Sequence, residues 1–282
     1  MTPLRSRPAL LTLASLLTST LLGLAGCSEE PVGTSFSLHG ADEVAIVCRN
    51  AESATGLPLA QCAPGGEGSL HALVTSVARS ELAAIRLAVQ DGDTSLKTSV
   101  KLLELDPTVP GITHLELGPA PLRLLPSPDG RLVYTLSNGR REVWAIDVGR
   151  LCVVGRVPWG PAARGALSAA DLALDEAGGL LISFPTTGVV AHLATGACGF
   201  LEGECGATGE VPVNKSCSPT VFAVLRTLSG GIGLDLSPGV LVWRPALGDG
   251  GPGSLLVGDA LLDLTYELVA TADAGVTLGK VM

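Results

Sequence analysis

The sequence predicts an all-β fold: a β-propeller-like array of four-stranded blades, complete or partial, with a β-sandwich as the alternative stacking of the same strands. Three observations predict it. The apolar residues fall in runs too short for typical helices. The 36 glycines and 19 prolines suit many tight turns rather than long helices. And the chain repeats itself with a period near 46 residues, the size of one four-stranded blade.

The runs follow one another from Val44 onward. They are LHALVTS (70–76), ELAAIRLAV (81–89), SVKLLEL (99–105), RLVYTLS (131–137), EVWAIDV (142–148), GLLISFP (179–185) and VVAHLAT (189–195). Each is bounded by Gly, Pro, Asn or Asp, which break strands at turns. ALSAADLALDEA (166–177) has helical propensity but reads as strand because of the repeat. That repeat sets residues 122–152 over 170–198. Gly130 meets Gly178, Leu132 meets Leu180, Val143 meets Val189, Ala145 meets Ala191 and Cys152 meets Cys198. A third copy is 68–87 over 130–149, and a weaker fourth is 234–247, whose Ser237-Pro238-Gly239 matches the turn at 127–130.

The segment Ser127-Pro128-Asp129-Gly130-Arg131-Leu132-Val133-Tyr134, followed by Val143-Trp144-Ala145-Ile146-Asp147, resembles the YVTN-type repeats of bacterial β-propellers. The physics agrees with the resemblance. Pro128 fixes φ in a turn, Asp129 caps it, and Gly130 supplies a φ that other residues resist. The second copy departs from the pattern, with Asp175-Glu176-Ala177 for Ser-Pro-Asp and Ile182 for Tyr.

The start of the chain carries a different signal. Arg5 and Arg7 precede an apolar stretch, residues 9–24, and Leu24-Ala25-Gly26 leads into Cys27. A basic start, a short apolar middle and small residues at a cut site make a secretory signal peptide. The stretch is shorter than the roughly 20 residues of a spanning helix and contains Thr12, Ser15, Thr18 and Ser19. The run ending in Cys27 resembles the lipobox of bacterial lipoproteins. That resemblance implies acylation of the Cys27 thiol and cleavage before it. The expected organisation is a signal peptide over 1–26, a flexible tether over 27–41 and the β domain over 42–282. The expected partner is the lipid bilayer, held through acylated Cys27, since two or more chains anchor stably. Ser28, where Asp would retain the chain at the inner membrane, implies the outer membrane of the cell envelope. The tether is polar and without periodicity, and about 13 such residues reach roughly 20 Å.

Loss of Arg5 and Arg7 from 18 basic residues leaves 16 against 27 acidic ones, a net charge of −11. No basic cluster offsets this, so nucleic acid is excluded as a partner. Six cysteines remain: Cys48, Cys62, Cys152, Cys198, Cys205 and Cys217. An even count in an exported chain reads as disulfides. Short loops favour Cys48 with Cys62 and Cys205 with Cys217. Cys152 and Cys198 then remain, yet they hold equivalent places in adjacent repeats, where Cα atoms beyond 7 Å cannot be bridged. Cys198 with Cys205 or Cys217 is the other arrangement.

No H-E-x-x-H, G-x-S-x-G, Walker or G-x-G-x-x-G motif occurs. His39, His71, His114 and His192 are scattered, and His71 and His192 fall inside strand runs. Asp129, Asp147, Asp171, Asp175 and Glu176 are candidate axial carboxylates, but turn and cap roles account for them. Asp91-Gly92-Asp93-Thr94-Ser95 begins like a calcium loop, yet Leu96 and Leu102 stand where Gly and Glu belong. GDGGPGS (248–254) lacks the Lys of a phosphate loop. No catalytic, cofactor-binding or metal-binding residue is therefore assigned. The expected function is a membrane-anchored binding or scaffold module with an envelope protein partner. The alternative is a divalent-metal-dependent propeller hydrolase of the lactonase sort.

Overall fold

Short strands joined by tight turns pair with their sequence neighbours, because hairpins close at the least loop entropy. In the computed structural model, residues 41–50, 52–63, 66–87, 101–102, 114–205, 213–214, 217–225, 236–246, 253–270 and 276–282 are described. Their strands are β1 (Ala41–Asn50), β2 (Thr55–Leu57), β3 (Ser69–Ser76), β4 (Glu81–Arg86), β5 (Lys101–Leu102), β6 (His114–Glu116), β7 (Pro121–Pro126), β8 (Leu132–Ser137) and β9 (Glu142–Asp147). The rest are β10 (Cys152–Pro158), β11 (Asp171–Leu174), β12 (Leu180–Phe184), β13 (Val189–Leu193), β14 (Thr220–Val224), β15 (Pro238–Arg244), β16 (Ser254–Asp259), β17 (Thr265–Ala270) and β18 (Val276–Val281).

They form four antiparallel sheets in chain order. The second, third and fourth blades are β7–β10, β11–β14 and β15–β18, each paired sequentially. The first blade is β1, β3 and β4, with β5 and β6 sharing the outer edge of β4 and the short β2 lying on β1. The first strands, β1, β7, β11 and β15, lie side by side and define the axis. This is a partial propeller, as the strand pattern predicts. The run at 166–177 supplies only four strand residues, and the described part of 99–105 only β5.

Three apolar cores lie between successive blades. Ala45, Val47 and Leu73 of the first blade meet Val133, Trp144 and Ile146 of the second. Tyr134, Leu136 and Val143 on the other face of the second meet Ile182, Phe184 and Val189 of the third. Leu181 and Val190 of the third meet Leu255, Val257, Tyr266 and Leu268 of the fourth. A blade between two others is apolar on both faces, so β8 and β9 are buried throughout rather than alternating.

The repeat is real but its phase differs from the sequence match. Leu132 faces forward onto the third blade, whereas its counterpart Leu180 faces back onto the second. The turn explains the change. Ser127 N donates to Leu132 O across four residues, but Asp175 N donates to Gly179 O across three. One residue fewer exchanges the two faces of the following strand. The fourth match also shifts: Ser237-Pro238-Gly239 opens the first strand of its blade, not a turn between first and second strands.

The turn at 127–130 is built as its residues imply. Gly130 N donates to Ser127 O, and Arg131 N to Asp129 Oδ1. Ser127 Oγ accepts from Leu132 N at 3.0 Å. Gly130 has φ +72°, and a Cβ there would lie 1.9 Å from the Leu57 carbonyl oxygen. Gly130→Ala therefore combines an unfavourable φ, about 1–2 kcal/mol, with displacement of β2. We expect a loss of about 2–3 kcal/mol in unfolding free energy, measured by urea titration; an unchanged midpoint contradicts this contact.

The disulfides correct one expected pairing. Cys48–Cys62 forms as expected, with Cα atoms 5.7 Å apart. Cys205 does not pair with Cys217: the other bonds are Cys152–Cys205 and Cys198–Cys217. After the turn Phe200–Glu202 the chain runs back beside the second blade, where Arg150 Nη1 donates to Gly203 O at 2.9 Å. That path carries Cys205 to Cys152 at the start of β10. Cys217, just ahead of β14, meets Cys198 at the end of the turn Thr195–Cys198.

His71 is 1% exposed within the first blade. Its Nδ1 lies 2.9 Å from the Ser69 carbonyl oxygen, which accepts its proton. Burial holds its pKa below the ordinary 6.5, with Arg49 and Arg86 adding to the shift. The unfolded chain thus takes up a proton near pH 6.5 that the folded chain refuses, and stability falls as pH drops below that value. His71→Gln is expected to flatten the fall between pH 7.5 and 5.5 in urea titrations; an equal slope in both proteins contradicts it.

Candidate functional site

In a ring of blades the first strands bring residues distant in sequence to one axis. Here the axial cluster is Glu43 on β1, Arg123 on β7 and Asp171 on β11. A register shift between Leu122 and Leu125 interrupts β7, and Arg123 within it has φ +61°. The bulge aims the guanidinium across to the next blade, a known use of bulges. Arg123 Nε donates to Asp171 Oδ1 at 2.5 Å, and Arg123 Nη1 lies 3.7 Å from Glu43 Oε1. Asp171 Oδ1 also accepts from Leu172 N at 2.9 Å, and Oδ2 from Leu241 N at 2.8 Å. Leu241 is on β15, so one carboxylate ties three blades together and Glu43 adds the fourth.

The Asp171 side chain is 4% exposed and that of Arg123 42%. The hydrogen bond to Asp171 raises the Arg123 pKa further above its ordinary value. The cluster is a charge-assisted clasp. It has no nucleophile beside a base, and both oxygens of its buried carboxylate are engaged.

A groove of about 490 Å³ lies between the second and third blades. Leu132, Tyr134 and Phe200 form its apolar wall, and Asp129, Glu176 and Glu202 supply carboxylates around it. The Tyr134 and Phe200 rings lie 6.1 Å apart, tilted by 59°. Burial pushes the Tyr134 pKa up, against a hydrogen bond to Thr195. An apolar wall beside carboxylates suits a cationic group carried on an apolar stem.

The other expected carboxylates serve turns. Asp129 caps the Ser127 turn. Asp147 accepts from the Arg150 backbone and guanidinium. Asp175 accepts from Gly179 N and lies 2.8 Å from His192 Nε2. Asp171 and Glu176 depart from that reading: Asp171 reaches the axis and Glu176 stands exposed at the groove. His114 lies 3.6 Å from Glu81. Arg123, Glu43 and Glu202 carry no sequence signal, since a bulge and a turn return place them. Cys27, His39 and Asp91–Ser95 lie outside the described residues, as do residues 248–252 of the GDGGPGS run.

A divalent cation held at the axis, as the hydrolase alternative implies, does not fit these residues. A hard cation needs several free oxygen ligands, whereas both Asp171 oxygens are engaged and Arg123 places a positive charge between the two carboxylates. Among the described residues no group of three His, Cys, Asp or Glu side chains is arranged to hold a metal.

No protein-family model and no curated protein matches the chain. Solved structures do. A protein from Bacteroides fragilis assigned as a 6-phosphogluconolactonase is similar at 15% identity and TM-score 0.50, over 75% of this chain and 51% of its own. The periplasmic gluconolactonase of Pseudomonas aeruginosa is similar at 13% identity and TM-score 0.44, over 75% and 50%. A β-propeller domain from Myceliophthora thermophila is similar at 10% identity and TM-score 0.41, over 76% and 55%. At 15% identity the first of these likenesses shows the fold alone. The chain spans about half the length of these structures.

Proposed function

We propose that this chain is a lipid-anchored envelope module that binds or scaffolds a protein partner and performs no catalysis. The observation that carries the reading is Arg123 between Glu43 and Asp171. The place where a lactonase-like propeller would hold a cation already holds a guanidinium. The groove lined by Tyr134, Phe200, Glu176 and Glu202 supports a binding role and favours a partner segment bearing Lys or Arg. The chain's negative charge steers such a partner toward it. The signal-peptide pattern and Cys27 support the anchor and the outer-membrane address. The assignment of the anchor to an acylated sulfur rests on the run ending in Cys27; among the described residues no helix is long and apolar enough to cross a membrane.

Photo-crosslinking in cells from a probe at Ala177, beside the groove, tests the reading. The expected result is one discrete envelope protein, lost when Glu176→Lys and Glu202→Lys are combined. Hydrolysis of lactone substrates by the purified chain, abolished by chelator, overturns it. Intact mass of the membrane-extracted chain tests the anchor: added acyl chains, absent in Cys27→Ser, are expected.

A further inference from the structure

The first strands of the blades run in one direction, so the stack has an entry end, where they start, and an opposite end. Hydrogen bonds knit the turns of the entry end together. Asp42 Oδ2, beside Ala41 at the start of β1, accepts from Val77 N. The Asn138 side chain bonds both backbone groups of Ala169. Trp159 N donates to Arg141 O, Thr187 Oγ1 to Ala163 O, Ser237 Oγ to Pro185 O and Ala260 N to Ser237 O. The turns 77–80, 138–141, 185–188 and 260–264 and the link 159–170 thus share one end with the start of β1. The groove lies at the other end, among Ser127–Asp129, Glu176–Gly178 and Gly199–Glu202.

The two ends differ in chemistry. The entry end exposes Arg79, Arg140, Arg141 and Arg164. Among the described residues none of the four is paired with a carboxylate. Asp42, Glu116 and Asp263 are exposed among them. The same end exposes Leu167 at 66%, Leu261 at 77% and Leu262 at 40%. Asp259 Oδ1 accepts from the Leu261 and Leu262 amides at 2.8 Å each, which fixes the turn that presents them. A single exposed leucine is ordinary, but three beside four arginines at one end make the mixed apolar and basic surface that suits a bilayer interface. The groove end instead exposes Glu52, Glu67, Asp129, Glu176, Glu202 and Glu204 against Arg86, Arg131 and Arg244.

We propose that the entry end rests on the bilayer, with its leucines at the boundary of head groups and acyl chains and its arginines on lipid phosphates, so that the groove faces away from the membrane. This contact is additional to the acyl anchor proposed above and rests on that reading. Residues 28–40 join Cys27 to Ala41 and reach roughly 20 Å, so the anchor holds the entry end nearer the bilayer than the groove end. The planar fork of arginine matches phosphate oxygens, and its apolar stem lies along apolar surface while the charge stays in water. Anionic head groups attract the arginines and repel the carboxylates of the groove end, which selects the same orientation. Glu176 and Glu202 are then open to a partner on the far side.

The test uses the acylated chain extracted from membranes and floated with vesicles of equal parts phosphatidylcholine and phosphatidylglycerol, with and without brominated acyl chains. Leu261→Trp places a fluorophore at the entry end and Ala177→Trp one beside the groove, each read against the wild type. Bromine is expected to quench the Leu261→Trp signal by roughly half or more, as for a side chain at the acyl boundary, and to leave that of Ala177→Trp unchanged. Adding Arg79→Glu with Arg140→Glu is expected to remove most of the quenching while the chain still floats. Circular dichroism confirms folding, and Arg79→Gln with Arg140→Gln serves where it is lost. A chain that floats with Leu261→Trp unquenched, or with both positions quenched alike, overturns the proposal and leaves the anchor standing. A chain that does not float overturns both. A photo-crosslinker at Leu262 that captures one envelope protein gives this end to a protein partner and also overturns the proposal.

Discussion

Removing the disulfide between Cys152 and Cys205, by changing both residues to Ser, is expected to lower unfolding free energy by about 4 kcal/mol. The bond closes 53 residues, the longest covalent loop in the described chain. It therefore restricts the unfolded ensemble more than Cys48–Cys62 or Cys198–Cys217, which close 14 and 19 residues and contribute about 3 kcal/mol each on the same chain-entropy account. The folded state adds to the effect. Cys152 belongs to the core between the second and third blades, and its bond holds the return segment against β10. Urea unfolding of the double variant, under oxidising conditions that leave the other bonds intact, measures the change. A loss under about 1 kcal/mol would place the constraint elsewhere, in residual structure of the unfolded chain. The corresponding change at Cys198 and Cys217 is expected to cost less, and that ordering separates the loop-length account from a uniform cost per bond.

The second large effect is Asp171→Ala. It removes the acceptor of Leu241 N, a buried amide that holds the fourth blade to the third, and also the partner of Arg123. An orphaned buried donor costs about 1–3 kcal/mol. The guanidinium left behind is 42% exposed and recovers part of its hydration, so the pair itself adds little more. About 3 kcal/mol in total is expected, with the fourth blade loosened first. Arg123→Ala is expected to cost less, about 1–2 kcal/mol, because the Leu172 and Leu241 amides still donate to the carboxylate and the guanidinium removed is 42% exposed, so its ion pair is screened by solvent. Hydrogen exchange resolves the difference: Asp171→Ala deprotects β15 and β16 selectively, while Arg123→Ala leaves them protected. Equal losses for the two variants would show that the ion pair, rather than the amide contacts, dominates.

Much of the fold is legible in the strand runs and in the turn Ser127–Gly130, because that chemistry is local. Ser127, Asp129 and Gly130 satisfy one another within a few residues, and no distant group is needed to place the hairpin. Cys48 and Cys62 are legible for the same reason. What fails to read is what depends on counting or on return paths. Leu132 and Leu180 align by type, yet a turn shorter by one residue sets them on opposite faces. Cys205 lies nearer to Cys217 in sequence, but the chain after Phe200 runs beside β10 and delivers it to Cys152. Asp171 looks like any strand-edge Asp until β7, β11 and β15 converge. Arg123 gives no signal, because only a bulge with a left-handed residue aims it at the axis. The groove likewise forms from turns of two blades, and Glu202 joins Asp129 and Glu176 only through the return segment.

The axis is closed by the Arg123 guanidinium rather than opened for a cation. Calorimetric titration of the purified chain with Ca²⁺, alongside Asp171→Asn, tests this most directly. The predicted result is no saturable heat in either protein and no rise in the melting temperature of the wild type. Stoichiometric binding to the wild type that disappears in Asp171→Asn would contradict it.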